Sequence, residues 1–245
     1  MEKVIVFDVW GDYAHFRKFY TTSSPLTFSI PPRTSLCGLL GAIAGLGKDE
    51  YLNYFSKKDA KIGLRLLNPV KKTRLGINLI NTKGNSWTLI RKSGHEPRTQ
   101  IRTEFLKDVK FRMYVSHTDE EIYKTLRENL SNHKSVYTPC LGLSELLCNF
   151  SFVGEFSISE REEAETEINS VVPLSGLVER RDSINFETIN ETKKKYFKEK
   201  LPMEMTPERI VTEYGEVMYE ADGKPLRIIP KKFWELENGE RIIFL

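Results

Sequence analysis

The sequence predicts an α+β protein: a ferredoxin-like domain with an antiparallel sheet, an inserted β-hairpin and a smaller β-rich C-terminal region. Three observations carry this. Up to residue 158 the elements run strand, helix, strand, long insertion, strand, helix, strand, the order of a four-stranded antiparallel sheet with both helices on one face. Residues 109–115 (VKFRMYV) alternate without a break, placing Val109, Phe111, Met113 and Val115 on one side and Lys110, Arg112 and Tyr114 on the other. Charge, finally, is partitioned along the chain. Residues 1–56 hold five basic and five acidic side chains, residues 57–112 fifteen and four, and residues 113–245 seventeen and twenty-five. The formal charge of +3 is thus the sum of 0, +11 and −8, and the basic stretch is as cationic as many nucleic-acid binders.

Residues 4–9 (VIVFDV) are β-branched and apolar almost throughout, as expected of a strand in the middle of a sheet. Residues 11–20 (GDYAHFRKFY) mix rings and cations with no clean period. Pro31 and Pro32 force extension, after which Thr34 or Ser35 is expected to cap a helix running to about Leu46. Gly38, Gly41 and Gly45 cost that helix about 1 kcal/mol each, and close approach to the sheet is the expected compensation. A second strand falls at 61–67 (KIGLRLL) and the third at 109–115. The capping box Thr118-Asp119-Glu120-Glu121 starts a helix with Ile122, Leu126 and Leu130 on one face, and a fourth strand follows at 150–158.

The insertion, residues 68–108, reads as a protruding hairpin whose strands are 75–80 and 86–90, separated by the turn-rich stretch 81–85. Most of the +11 sits on it or at its base. We place the first domain at 1–158 and the β-rich region, packed on it, at 159–245. Within the latter, 160–167 (EREEAETE) is expected as an acidic loop or short helix, 193–200 as a basic patch, and 202–245 as short strands with turns at Asp222-Gly223 and Asn238-Gly239.

Several function classes are excluded. At 40% hydrophobic and 11% aromatic residues the chain can bury a sizeable core, which argues against wholesale disorder. The longest apolar run, residues 36–46, is interrupted by glycine and falls well short of the roughly 20 residues a membrane helix needs. The N-terminus does not read as a secretory signal, and three cysteines at no paired spacing point to a reducing cytoplasm rather than a disulfide framework or zinc site. No cofactor or metal is expected. Gly45-Leu46-Gly47-Lys48 fails as a phosphate-binding P-loop, because Ala42 stands where the first glycine belongs and Asp49 follows the lysine.

Two patterns suit RNA. Unpaired amides at the start of the first helix, with Arg33, Thr34 and Ser35, form either an ordinary cap or an anion site. Rings interleaved with cations suit single strands, since rings stack on splayed bases while Arg and Lys hold the backbone. Tyr13, Phe16, Phe19 and Tyr20 with Arg17 and Lys18 fit this pattern, as do Lys110, Arg112 and Tyr114. His15 has the richest surroundings of the four histidines for acid and base work, although such a segment equally makes a docking surface. The Lys-Gly-Phe-Gly-Phe type of run that marks a sheet-face RNA platform is absent.

Taken together, Gly11-Asp12-Tyr13-Ala14-His15-Phe16-Arg17, Tyr20-Thr21-Thr22-Ser23, Pro31-Pro32-Arg33-Thr34 and Gly38-Leu39-Leu40-Gly41-Ala42-Ile43 closely resemble the N-terminal signature of the CRISPR-associated protein 5 family. The resemblance continues through Arg102-Thr103-Glu104-Phe105-Leu106, Tyr114-Val115, Tyr137-Thr138-Pro139, Leu141-Gly142-Leu143-Ser144-Glu145 and Phe152-Val153. The closing Arg241-Ile242-Ile243-Phe244-Leu245 is similar to the terminal strand of the type I-B branch.

This resemblance implies a domain of the repeat-associated mysterious protein superfamily with a hairpin thumb. It also implies a place in a type I surveillance complex, capping the 5′ handle of CRISPR RNA beside the backbone and large subunits, with target DNA met only indirectly. It assigns RNA contacts to Tyr13, His15, Arg17, Lys18, Arg33, Thr34, Ser35, Lys71, Lys72, Arg74, Arg98 and Arg102. One branch, type I-C, cuts precursor RNA with a tyrosine and a consecutive lysine and histidine. No Lys-His pair occurs here, so binding is favoured over metal-independent ribonuclease action, with His15 the candidate for the latter. A third reading is an interaction module whose basic hairpin meets an acidic protein.

Overall fold

The computed structural model describes residues 2–21, 24–81, 96–179, 183–184 and 194–245. Strand β1 (Glu2–Ala14) lies between β5 (Asn149–Glu162) and β4 (Arg98–His117), and β2 (Ala60–Leu66) flanks β4. All three pairings are antiparallel, with registers such as Phe7↔Met113 and Leu64↔Met113. Helices α1 (Arg33–Ala44) and α3 (Glu120–Ser131) cover one face, with the short α2 (Tyr51–Tyr54) beside α1. The fold is therefore α+β and ferredoxin-like.

The core forms where the period-2 pattern of the sheet meets the helices. Ile5, Phe7, Val9, Ile62, Leu64, Met113 and Val115 pack against Leu36, Leu40 and Ile43 of α1 and Leu126 and Leu130 of α3. Pro32, without a side-chain cap, precedes α1, so Thr34 and Ser35 lie inside the first turn instead of capping it. The glycines of α1 serve its contact with α2: a Cβ on Gly41 would stand 2.7 Å from Tyr51 Cβ. They do not bring α1 closer to the sheet, as the sequence had suggested. Gly45, at φ 85°, closes the helix in the left-handed conformation that glycine adopts without penalty. Asp119, not Thr118, caps α3, accepting from the amides of Glu121 and Ile122.

The opposite sheet face is covered as well. Beyond β5 come β6 (Thr166–Ile168), β7 (Val172–Pro173), β8 (Tyr196–Met205), β9 (Val211–Glu220), β10 (Leu226–Ile228), β11 (Lys232–Leu236) and β12 (Arg241–Ile242). The stretch expected as an acidic loop or short helix is instead the end of β5 followed by β6. β11 extends the sheet from β5, β12 from β11, and the Leu245 amide donates to the Ile62 carbonyl at 2.9 Å. The two far edges thus meet, and the sheet curls toward a barrel, which removes an open edge. Val4, Val6, Tyr114, Ile158, Leu236, Ile242 and Phe244 fill its interior. At its rim Arg112 donates to Asp8 (2.8 and 3.3 Å) and to Glu240 (3.1 Å), which Arg65 also contacts. β8 and β9 form a separate ladder with β7, and Leu201, Met203, Val217 and Tyr219 join the helix-side core.

β3 (Lys72–Ile80) pairs with β4 from Lys72↔Leu106 to Ile80↔Arg98, which makes the protruding hairpin. Its returning strand is the first half of β4; residues 86–90, expected to form it, lie outside the described residues. At Asp108, φ 53°, the side-chain phase of β4 reverses. Val109, Phe111, Met113 and Val115 face the helix-side core, yet so does Leu106, and on the partner strand Val9 and Ala14 do the same. The pairings Gly11↔Val109 and Tyr13↔Lys107 flank the break. Asn68 Nδ2 donates to the Asp108 carbonyl at 2.8 Å and holds the neck of the hairpin.

A β-branched side chain at such a φ costs roughly 1–2 kcal/mol more than glycine. Asp108→Val is expected to lower the unfolding free energy by about that amount in urea titration, with Asp108→Gly within about 1 kcal/mol of the parent.

Candidate nucleic-acid interface

The antiparallel ladder of the hairpin decides which cations share a surface, because directly paired residues point the same way. Starting from Lys72↔Leu106, one face carries Lys72, Arg74, Asn78, Gln100, Arg98, Arg102 and Glu104. Four cations against one carboxylate make this face strongly basic. Glu104 lies 3.3 Å from Lys72 and 3.6 Å from Arg74, whereas Arg98 and Arg102 are exposed without an ion pair among the described residues. Leu106 belongs to the helix-side core, so this basic face continues the helical side of the sheet. The reverse face carries Leu75, Ile77, Leu79 and Ile101, with Leu75 and Leu79 exposed. Lys71 sits at the hairpin base, 3.5 Å from Asp108.

β1 continues to Ala14, through the segment whose period was unreadable, and residues 16–21 and 24–28 then lie against each other (the 16–28 fold-back), with Lys18 N donating to the Leu26 carbonyl and Phe28 N to the Phe16 carbonyl. The side chains expected to grip RNA here divide. His15 is 3% exposed; its Nδ1 lies 2.7 Å from the Glu104 carbonyl, which can only accept, so this nitrogen donates. Phe16 is also buried, and Tyr13 is half-buried with its ring edge-on to Phe105. Arg17 is exposed and reaches the Thr21 carbonyl at 3.3 Å. Lys18 Nζ lies 3.0 Å from Glu199 of β8. Burial alone would lower the Lys18 ammonium, but the hydrogen bond and charge of Glu199, with Tyr20, raise it above the ordinary lysine value.

At the start of α1 the structure corrects the expected anion site. Arg33 is 1% exposed, and its guanidinium donates to the Ala60 carbonyl at 2.8 Å and the Met203 carbonyl at 3.5 Å. It ties α1 to β2 and β8 and presents no charge to a phosphate. Beside it, burial pushes the Cys37 thiol up to about 11 despite the neighbouring guanidinium. Thr34 and Ser35 open instead into a groove of about 570 Å³ along α1, floored by Gly38 and Ala42 and walled by Tyr137, Tyr51 and Arg209.

A second concavity, about 730 Å³, is lined by both the 16–28 fold-back and β8–β9, with Lys18 and Lys72 on its rim. The second sequence pattern dissolves: Tyr114 is fully buried, Arg112 is held by Asp8 and Glu240, and Lys110 lies over the Trp10 ring at 5.7 Å. Of the expected contacts, then, Lys18, Lys72, Arg74, Arg98 and Arg102 fall on one side of the molecule. Thr34 and Ser35 occupy a different groove, and His15 and Arg33 are internal.

The family model described as "CRISPR-associated protein (Cas_Cas5)" matches residues 4–219. The chain belongs to the CRISPR-associated protein 5 family. It is similar in fold to a chain of the structure "CRISPR RNA-guided surveillance complex", at 11% identity and a TM-score of 0.54, over 92% of this chain and 91% of that one. It is similar also to "Crystal structure of a CRISPR protein from Archaeoglobus fulgidus", at 16% identity and a TM-score of 0.54, over 99% and 98%. At such identities the likeness is one of fold. No curated protein matches the sequence.

Within this CRISPR-associated chain the surface also recruits residues of the basic patch expected at 193–200, which local reading did not connect to RNA. Phe197, Lys195, Lys198 and Lys200 line the second concavity, and Tyr214 stands 5.0 Å from the Phe19 ring. A signal was present in Lys194-Lys195-Tyr196-Phe197-Lys198, rings interleaved with cations as in residues 13–20, but nothing local places it opposite Phe19. No helix of the described residues is long and apolar enough to cross a membrane.

The Arg33 geometry has a direct test. Hydrogen bonds from a charged group are worth roughly 1.5–3 kcal/mol, so Arg33→Ala is expected to cost at least about 2 kcal/mol in urea unfolding. The salt dependence of RNA binding by the folded fraction should stay as in the parent.

Proposed function

We propose that this CRISPR-associated protein is the RNA-binding subunit of a type I surveillance complex, and that it holds the 5′ handle of CRISPR RNA. The single observation that carries this reading is the alignment of Lys72, Arg74, Arg98 and Arg102 on one face of the hairpin, turned toward the helical side of the sheet. Cations along one ridge neutralise successive phosphates of a single strand. The hairpin lies between the second and third core strands, where the family resemblance implies a thumb, and its apolar reverse face suits a neighbouring protein subunit. The type I-B branch is supported by residues 241–245, and contacts to target DNA are read as indirect, through the RNA.

Binding without cleavage is the reading favoured for the chemistry. Among the described residues, His15 is enclosed and spends Nδ1 on the Glu104 carbonyl, His117 lies between the Tyr54 carbonyl and the Asp119 amide, and His133 packs on Phe150; His95 lies outside the described residues. Incubating the purified chain with labelled repeat RNA in chelator should give retention of intact RNA; site-specific cutting abolished by His15→Ala would overturn this.

Salt titration tests the electrostatics. Affinity for single-stranded RNA is expected to fall with a log-log slope of about −0.7 per phosphate neutralised, and Arg74→Ala, Arg98→Ala and Arg102→Ala should each make it shallower by about that amount. Lys107 pairs with Tyr13 on the reverse side, and Lys107→Ala should leave the slope as it is.

A further inference from the structure

The concavity between the 16–28 fold-back and β8–β9 has a composition that neither the hairpin nor the core explains. Exposed aromatic side chains converge on it from separate segments: Phe19 is 57% exposed, Tyr20 62% and Phe197 51%. Phe197 lies nearly parallel to its cross-strand partner Tyr219, 18° between planes and 6.1 Å between centroids, so the ring is braced by a buried neighbour while the residue stays half-exposed. From the fold-back Phe19, which also lines the cleft, is held edge-on to Tyr20 at 5.2 Å and packed on Tyr214 at 5.0 Å. Rings braced in this way cost little conformational entropy when a planar ligand stacks on them. The volume of about 730 Å³ lies within the roughly 300–1,000 Å³ usual for ligand sites.

The charge is lopsided. Lys18, Lys72, Lys195, Lys198 and Lys200 line the site against Glu199 and Asp222. Glu199 is already engaged by Lys18 at 3.0 Å and by the Ser29 amide at 2.9 Å, and Lys198 pairs with Glu216 at 2.8 Å. Lys200 rests over the Tyr214 ring at 5.5 Å, and Lys195 has no ion pair among the described residues. Lys72 belongs to this rim and also begins the basic face of the hairpin, so the two positive surfaces are one track.

We infer that this cleft is a single-stranded RNA subsite, in which an unpaired nucleobase stacks on Phe197 opposite Phe19 and Tyr20 while lysines on the rim hold its flanking phosphates. The inference rests on the RNA-binding reading above and adds to it a second surface, built from the C-terminal half of the chain. A duplex cannot use the cleft, because its bases are already stacked on one another.

The test uses the full chain and a single-stranded repeat RNA carrying 5-iodouridine, scanned along its length. Photocrosslinks to Phe197, Phe19 or Tyr20 are expected, and crosslinks confined to the hairpin or the α1 groove would overturn the inference. Stacking on an aromatic ring is worth enough that Phe197→Ala and Tyr20→Ala should each weaken binding about tenfold with the salt slope unchanged, and Phe197→Tyr should restore it. If both alanine variants bind as the parent while Arg74→Ala and Arg102→Ala weaken it, the cleft subsite falls and the hairpin reading stands. If the parent chain retains no RNA, or retains duplex equally well, both fall in the first case and the cleft alone in the second. Displacement of a bound acidic polypeptide, with no effect of RNA, would also overturn the cleft assignment.

Discussion

One backbone irregularity sets the functional geometry. Strand β4 serves the core with its second half and the hairpin with its first, and the side-chain phase reverses between them at Asp108. Strict alternation from Val109 would carry Lys107, Phe105, Thr103 and Ile101 onto the helix side and turn Glu104, Arg102 and Arg98 away from it. The reversal does the opposite. The cations end up on the side where the 16–28 fold-back, α1 and β8 stand, and Leu75, Ile77 and Ile101 on the other. Aspartate is among the few residues other than glycine that adopt a positive φ at modest cost, so Asp108 lets β4 reverse together with β1, whose Val9 and Ala14 likewise both face the core.

The second constraint is the closure of the sheet. A four-stranded ferredoxin-like sheet with helices on one side leaves the other side open, and that side is where sheet-face RNA readers stack bases. Here β11, β12 and residues 243–245 fold across it, and Tyr114, Val4 and Val6 meet Phe244 and Ile242 instead of solvent. The charges on that face are consumed internally: Arg112 by Asp8 and Glu240, Arg65 by Glu240. Recognition is thereby displaced to the hairpin and to the grooves on the helical side.

How much of this was legible depended on whether the deciding interaction was local. The unbroken alternation of 109–115 gave the third strand and its two faces correctly, because burial on one face of a sheet writes itself into a period of two. The turn glycines at 223 and 239 were read from their neighbours alone, and both have positive φ. Arg33 was misread for the converse reason. A cation at a helix start fits either an ordinary cap or an anion site locally, and the family resemblance assigned it to RNA, while its partners are carbonyls of Ala60 and Met203, 27 and 170 residues away. His15 likewise looks catalytic among Tyr13, Arg17 and Lys18 until β4 crosses it and supplies the Glu104 carbonyl. The cleft was out of reach because its walls come from residues 18–20 and 195–200, each readable as basic and aromatic, with nothing in either to announce the other.

Lys72 shows why the two positive surfaces act together. Its ammonium donates to the Thr27 carbonyl at 3.1 Å and lies 3.3 Å from Glu104, so the base of the hairpin is fastened to the 16–28 fold-back. That fold-back is fastened in turn to β8, through Lys18 and Ser29 on Glu199. A chain of polar contacts therefore runs from the hairpin through the aromatic loop to the C-terminal ladder, and all three surfaces are held at fixed spacing before any ligand arrives. Preorganisation of this kind lowers the entropy lost when a flexible single strand is immobilised. It also gives Glu104 and Glu199 a role on an otherwise cationic surface: each carboxylate neutralises part of the charge and spends it on positioning the lysines, leaving Arg98, Arg102 and Lys195 without a carboxylate partner among the described residues.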